Sequence, residues 1–85
     1  MKKIVEFTGS PKSAGFKTKS SFLSAISKFG FIKGKIKKRN NEVTILVTDD
    51  LNSNTTKMKL AKELGIDIMT YEELSDIFEL EKELN

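Results

Sequence analysis

Apolar and polar positions alternate along this chain in short runs, some with a period near two and others with a helical period. The first run, Lys3-Ile4-Val5-Glu6-Phe7-Thr8, is rich in β-branched and aromatic residues and breaks at Gly9-Ser10. That is the pattern of a buried strand ending in a turn. Residues 10–16 form a turn-rich loop. A helix is expected from about Thr18 to Phe29, with Phe22, Ala25, Ile26 and Phe29 on one face and Thr18 or Ser20 as its cap. Gly30 is placed for a left-handed C-terminal cap. Phe31 to Ile36 predicts a second strand, and Gly34 with its flanking lysines assigns it to a sheet edge.

After the polar loop 37–42, Val43 to Val47 predicts a strand buried on both faces. Asn40-Asn41 between two strands is a hairpin signal, so antiparallel pairing stays open at this point. Residues 48–54 form a loop into a helix capped by Asn54 or Thr55, lined by Met58, Ala61 and Leu64, and ended by Gly65. Ile66 to Met69 predicts a fourth strand. Thr70 with Glu73 is a capping box, and Leu74, Ile77 and Phe78 continue that helix through Leu80-Glu81 into an acidic, frayed tail. The order β-α-β-β-α-β-α is of the α/β class. It predicts one domain over 1–85, with a core at 3–79 and a tail at 80–85, and shows no repeat or linker.

Composition narrows the function classes. There is no cysteine and no histidine. That excludes disulfides, thiolate metal sites and the usual general base. No apolar run approaches membrane-spanning length, and the stretch after Met1-Lys2-Lys3 is too short for a signal peptide. A cytoplasmic binding module, not an enzyme, without cofactor, metal or membrane contact, is expected. The net charge of +3 conceals a polarity: residues 1–40 hold eleven Lys/Arg against Glu6, and residues 41–85 hold four Lys against eleven Asp/Glu. The halves are therefore +10 and −7. A basic half of this kind suits a polyanion, nucleic acid being the commonest; self-association between oppositely charged faces is the alternative.

Candidate chemistry gathers at the end of the first strand. Ligands of open α/β sheets sit beyond the carboxyl ends of strands, and a glycine there lets an anion approach the backbone. Thr8 and Gly9 are therefore the expected centre of any site. Asp49-Asp50 lack a supporting acidic pair on the first strand and are read as turn formers. Glu72, Glu73, Asp76 and Glu79 read as the acidic front and exposed face of the last helix. Phe16, Phe22, Phe29, Phe31 and Phe78 are read mostly as core rather than as a base-stacking platform.

Phe7-Thr8-Gly9, a helix ending near Gly30, Thr44-Ile45-Leu46-Val47, Lys57-x-x-x-Ala61-x-x-Leu64-Gly65-Ile66-x-Ile68 and Thr70-Tyr71-Glu72-Glu73-Leu74 together resemble the BRCT family. The likeness runs from about residue 3 to residue 79. It is greatest to the branch found in bacterial NAD-dependent DNA ligases and the large subunit of replication factor C. Three features depart from the family pattern: Phe31 replaces a second glycine, Leu74 replaces a common tryptophan, and the loop after Gly9 is longer.

The resemblance implies a four-stranded parallel sheet of order 2-1-3-4. Two helices would cover one face and the middle helix the other, which would rule out the hairpin. It implies a phosphate pocket of Thr8, Gly9 and Lys57, a combination of hydroxyl, amide and ammonium near a helix N-terminus that suits an anion. Lys19 corresponds to an arginine in the first turn of DNA-binding members. Lys12, Lys17, Lys37, Lys38 and Arg39, with Lys33 and Lys35, would extend contact along a DNA backbone. The function implied is non-catalytic binding of DNA, through its backbone or 5′-phosphorylated ends, in replication or repair. Assistance to a DNA-processing protein is included in that reading. The alternatives are phosphopeptide recognition, homodimerisation, or an accessory domain of a ligase-type enzyme. The absence of a second copy counts against phosphopeptides, and Met1 with the end at Asn85 points to a complete small protein.

Overall fold

The computed structural model describes residues 3–80. Its strands are β1 (Ile4–Thr8), β2 (Ile32–Lys33), β3 (Ile45–Thr48) and β4 (Asp67–Thr70), and its helices are α1 (Lys19–Ser27), α2 (Thr56–Leu64) and α3 (Tyr71–Phe78). A 3₁₀ turn at Pro11–Ala14 lies inside the loop expected after β1. The sheet order is β2-β1-β3-β4, and every pairing is parallel. β1 therefore lies between β2 and β3, and the hairpin suggested by Asn40-Asn41 does not form. Asn40 instead takes a left-handed conformation (φ 56°) within a loop that carries the chain past β1.

Period-two alternation along β1 sorts its side chains between two cores. Val5 and Phe7 pack with Phe22, Ala25 and Ile26 of α1 and with Tyr71 and Leu74 of α3. Ile4 packs on the opposite face with Ile36, Val43, Leu46 and with Met58 and Ala61 of α2. Adjacent residues of β3, Leu46 and Val47, enter different cores and are fully buried. The expected burial of this strand on both faces, and the division of helices between the faces, are thus found. Crossovers between parallel strands send each helix back against the strand direction. The N-termini of the crossover helices α1 and α2 are therefore at the carboxyl end of the sheet, as is that of α3, which starts directly after β4, and Thr55 and Tyr71 both reach Thr8.

Several local expectations need correction. β2 has two paired residues rather than six, because the chain bends away after Gly34, whose amide donates to the Val5 carbonyl at 2.9 Å. A Cβ on Gly34 would collide with the Ile4 side chain, so the close approach depends on glycine. β3 begins at Ile45 rather than Val43. α1 is capped by Thr18 in a reciprocal box with Ser21 and ends at Ser27, with Lys28 rather than the left-handed Gly30 as its C-cap. Phe29 consequently falls beyond the helix and is exposed, as is Ile77, which lies on the outward side of α3. Leu80 is fully buried rather than frayed, while Glu81 and the rest of the acidic tail fall outside the described residues. The caps at Thr55, Gly65 and Thr70 form as expected, the last with Glu73 closing its box.

Candidate phosphate site at the carboxyl end of the sheet

The face alternation that places Ile4 under α2 also directs Glu6 and Thr8 toward that helix. Thr8 Oγ1 donates to Thr55 Oγ1 at 3.3 Å, joining the end of β1 to the cap of α2. Two residues into the helix sequence, Lys57 Nζ donates to the Phe7 carbonyl at 2.9 Å and lies 3.4 Å from Glu6 Oε1. Thr8, Gly9 and Lys57 are thus brought to one place by β1 and the first turn of α2. Thr8 is buried, Gly9 is exposed, and the Lys57 side chain is 41% exposed. A hydroxyl, an ammonium and the N–H groups of a helix start are the donors an anion needs, with the ammonium already set against the Glu6 carboxylate and the Phe7 carbonyl.

Three residues that the sequence reading gave no site role shape the place. Glu6 is 2% exposed. Its carboxylate accepts from Lys33 Nζ at 2.6 Å, from the Phe7 amide at 2.9 Å and from the Ile36 amide at 3.2 Å. Burial pushes this carboxyl up, but the Lys33 hydrogen bond, both amides and the Lys33 charge more than offset it and hold it below its ordinary value. The sequence signals that Glu6 is paired, since it is the one acid of residues 1–40 and lies among apolar strand residues, but which cations it meets follows only from the fold. Tyr71, part of the stretch that carries the family resemblance, is fully buried, and its hydroxyl donates to the Thr8 and Gly9 carbonyls at 3.2 and 3.3 Å. Burial pushes its phenol well above the ordinary range, and the Asp49 and Glu6 carboxylates push it the same way.

Asp49 is the third. Asp50 does form a turn, accepting from the Asn52 amide at 2.9 Å, but Asp49 reaches across to β1 and accepts from the Ser10 amide at 3.0 Å. Gly9 has φ +77°, and a Cβ there would collide with the Asp49 carboxylate. Glycine at this position therefore serves both the turn and the seating of Asp49.

The basic residues divide into two groups. Lys12 lies in the 3₁₀ turn, Lys17 precedes the α1 cap, and Lys19 is the first residue of α1, all exposed near the carboxyl end of the sheet. Lys37, Lys38 and Arg39 are exposed in the loop after β2. There Lys37 lines a surface hollow with Ile4, Ile32 and Asn40, beside the opposite ends of the strands. Lys33 is committed to Glu6. The described residues contain no group of His, Cys, Asp and Glu that could hold a metal ion, and no helix long and apolar enough to cross a membrane.

The family model of the BRCA1 C Terminus (BRCT) domain matches residues 15–78, and the chain belongs to that family. Lys57 falls within the match, whereas Thr8 and Gly9 precede it. BRCT domains are generally non-catalytic modules that bind proteins, phosphopeptides or DNA. No curated protein and no solved structure matches the chain.

Proposed function

We propose that this chain is a cytoplasmic, non-catalytic DNA-binding module that holds a 5′-terminal phosphate at Thr8, Gly9 and Lys57. Lys12, Lys17 and Lys19 would bear on the adjoining duplex backbone, in a replication or repair setting. The observation that carries this reading is the Thr8–Thr55 hydrogen bond of 3.3 Å, which seats the glycine turn of β1 against the start of α2 and its lysine. The excess of lysine in residues 1–40 supports DNA over a phosphopeptide. Lys37, Lys38 and Arg39, near the far ends of the strands, would engage a longer duplex or a DNA-processing partner. Nothing in the site reads base edges, so affinity should be indifferent to sequence.

Protein contact, including self-association, is the second reading, and one observation favours it. Phe29 stacks on Phe78 at 4.5 Å between ring centroids yet is 37% exposed, and neighbouring Ile77 is 60% exposed. An apolar patch at this end of α1 and α3 suits a protein surface.

Fluorescence anisotropy with a short duplex, with and without a 5′-phosphate, separates the readings. Phosphate-dependent binding that Thr8→Ala and Lys57→Ala each weaken by about tenfold, the effect of losing a charge-assisted contact, is the expected result. Binding indifferent to the phosphate and to both substitutions would remove the pocket and leave only the basic surface.

A further inference from the structure

An anion site built from a hydroxyl, an exposed turn and an ammonium ordinarily keeps carboxylates at a distance, since a like charge opposes the ligand. Here a carboxylate is seated in the turn itself. Asp49 extends from the end of β3, accepts from the Ser10 amide at 3.0 Å and occupies the space that a Cβ on Gly9 would need. The register explains how it gets there: Thr8 pairs with Thr48, so the residues following the two strands, Gly9-Ser10 and Asp49, emerge side by side. Only glycine leaves room for both the turn and the carboxylate. Asp49 thus makes with β1 the kind of contact that a ligand oxygen would make, an anion accepting from a main-chain N–H at the sheet's carboxyl end.

We propose that Asp49 is a built-in competitor of the terminal phosphate and sets how strongly the site discriminates phosphorylated from unphosphorylated ends. This rests on the phosphate reading of Thr8, Gly9 and Lys57. A bound phosphate displaces the carboxylate from the Ser10 amide and then lies near its negative charge. A terminal phosphate carries close to two charges at neutral pH and an internal phosphodiester one, so the terminal group meets the greater repulsion. Asp49 therefore depresses the preference for 5′-phosphorylated ends while leaving contact with the internal backbone largely intact. The pocket discriminates less than its donors alone would allow.

The test compares wild type, Asp49→Asn and Asp49→Ala, with Thr8→Ala added to each Asp49 variant. Each is titrated with the same duplex bearing 5′-phosphate or 5′-hydroxyl ends, in phosphate-free buffer at low salt, and the readout is the ratio of the two affinities. Asparagine keeps an oxygen that can accept from the Ser10 amide, so that variant retains the turn while losing the charge; thermal denaturation of each protein verifies folding. The expected result is a ratio about tenfold higher in Asp49→Asn, the effect of removing one like charge a few ångströms away at intermediate dielectric. Asp49→Ala, which also vacates the space, should raise it at least as far, and Thr8→Ala should abolish the gain. A wild type that binds in a phosphate-dependent way, with folded Asp49 variants showing the same ratio, would overturn this proposal and leave the pocket standing. A ratio near one in wild type and in both Asp49 variants would overturn the pocket reading and this proposal with it. A ratio near one in wild type that rises only in the variants would support both.

Discussion

At the level of single residues, the carboxyl end of β1 is held by interactions that compete for little space. Gly9 at φ +77° and the Asp49 carboxylate fit only because there is no Cβ between them. Gly9→Ala should therefore cost about 2 kcal/mol, combining the left-handed backbone penalty with displacement of Asp49. Asp49→Ala removes the collision, so urea denaturation of the double variant should give a smaller loss than the sum of the two single losses. Strict additivity would mean that the two residues do not share the space. Glu6 makes the second prediction. Its carboxyl is held below the ordinary value near 4.5, so its contribution to stability is complete above that pH and is lost as pH falls through the lower folded value. Glu6→Gln should cost about 2 kcal/mol at neutral pH, a value appropriate to hydrogen bonds with a charged group. It should also flatten the decline in melting temperature below about pH 5. An acid limb unchanged by the substitution would place the pH dependence elsewhere.

The elements were largely legible because their signals are local. Thr70 followed by Glu73 announces a capping box, and the box is present, with Thr70 Oγ1 accepting from the Glu73 amide at 3.0 Å and Glu73 Oε1 accepting from the Thr70 amide at 3.2 Å. Thr70→Ala should lower stability by about 1 kcal/mol, measured by chemical denaturation. What local pattern could not give was partnership across the sheet. Asn40-Asn41 carries a hairpin signal, yet Asn40 turns the chain within a crossover, because β1 already occupies the place beside β2. Local pattern gives Tyr71 a place in the first turn of a helix and nothing more. Only the packing of α3 against the end of β1 brings its hydroxyl to the Thr8 and Gly9 carbonyls. Tyr71→Phe removes those two hydrogen bonds while keeping the ring stacked on Phe7, and should cost about 1 kcal/mol in the same measurement. The candidate site was legible to a similar degree. Thr8 and Gly9 could be placed from a strand ending in a glycine turn, and Lys57 from family resemblance. Asp49 and Glu6 needed the register of β1 against β3 and the face of β1 that meets α2.

On the scale of the whole molecule, the parallel topology gathers the starts of all three helices, the turn after β1 and the Lys12, Lys17 and Lys19 group at one end. The same end also holds Asp49 and Asp50 after β3 and Glu72 and Glu73 in the first turn of α3, so charges of both signs meet there, while Lys37, Lys38 and Arg39 carry positive charge to the other end of the sheet. Binding to duplex should weaken linearly with the logarithm of salt concentration, by a slope of about one per phosphate neutralised. The central claim, that a 5′-phosphate is held at the carboxyl end of β1, is tested most directly by nitrogen-15 amide spectra of the labelled protein titrated with phosphorylated and unphosphorylated duplex. The two titrations should differ most at the amides of Thr8, Gly9, Ser10 and residues 55–57, with similar, smaller shifts at Lys37, Lys38 and Arg39. Identical titrations, or differences confined to residues 37–39, would contradict it.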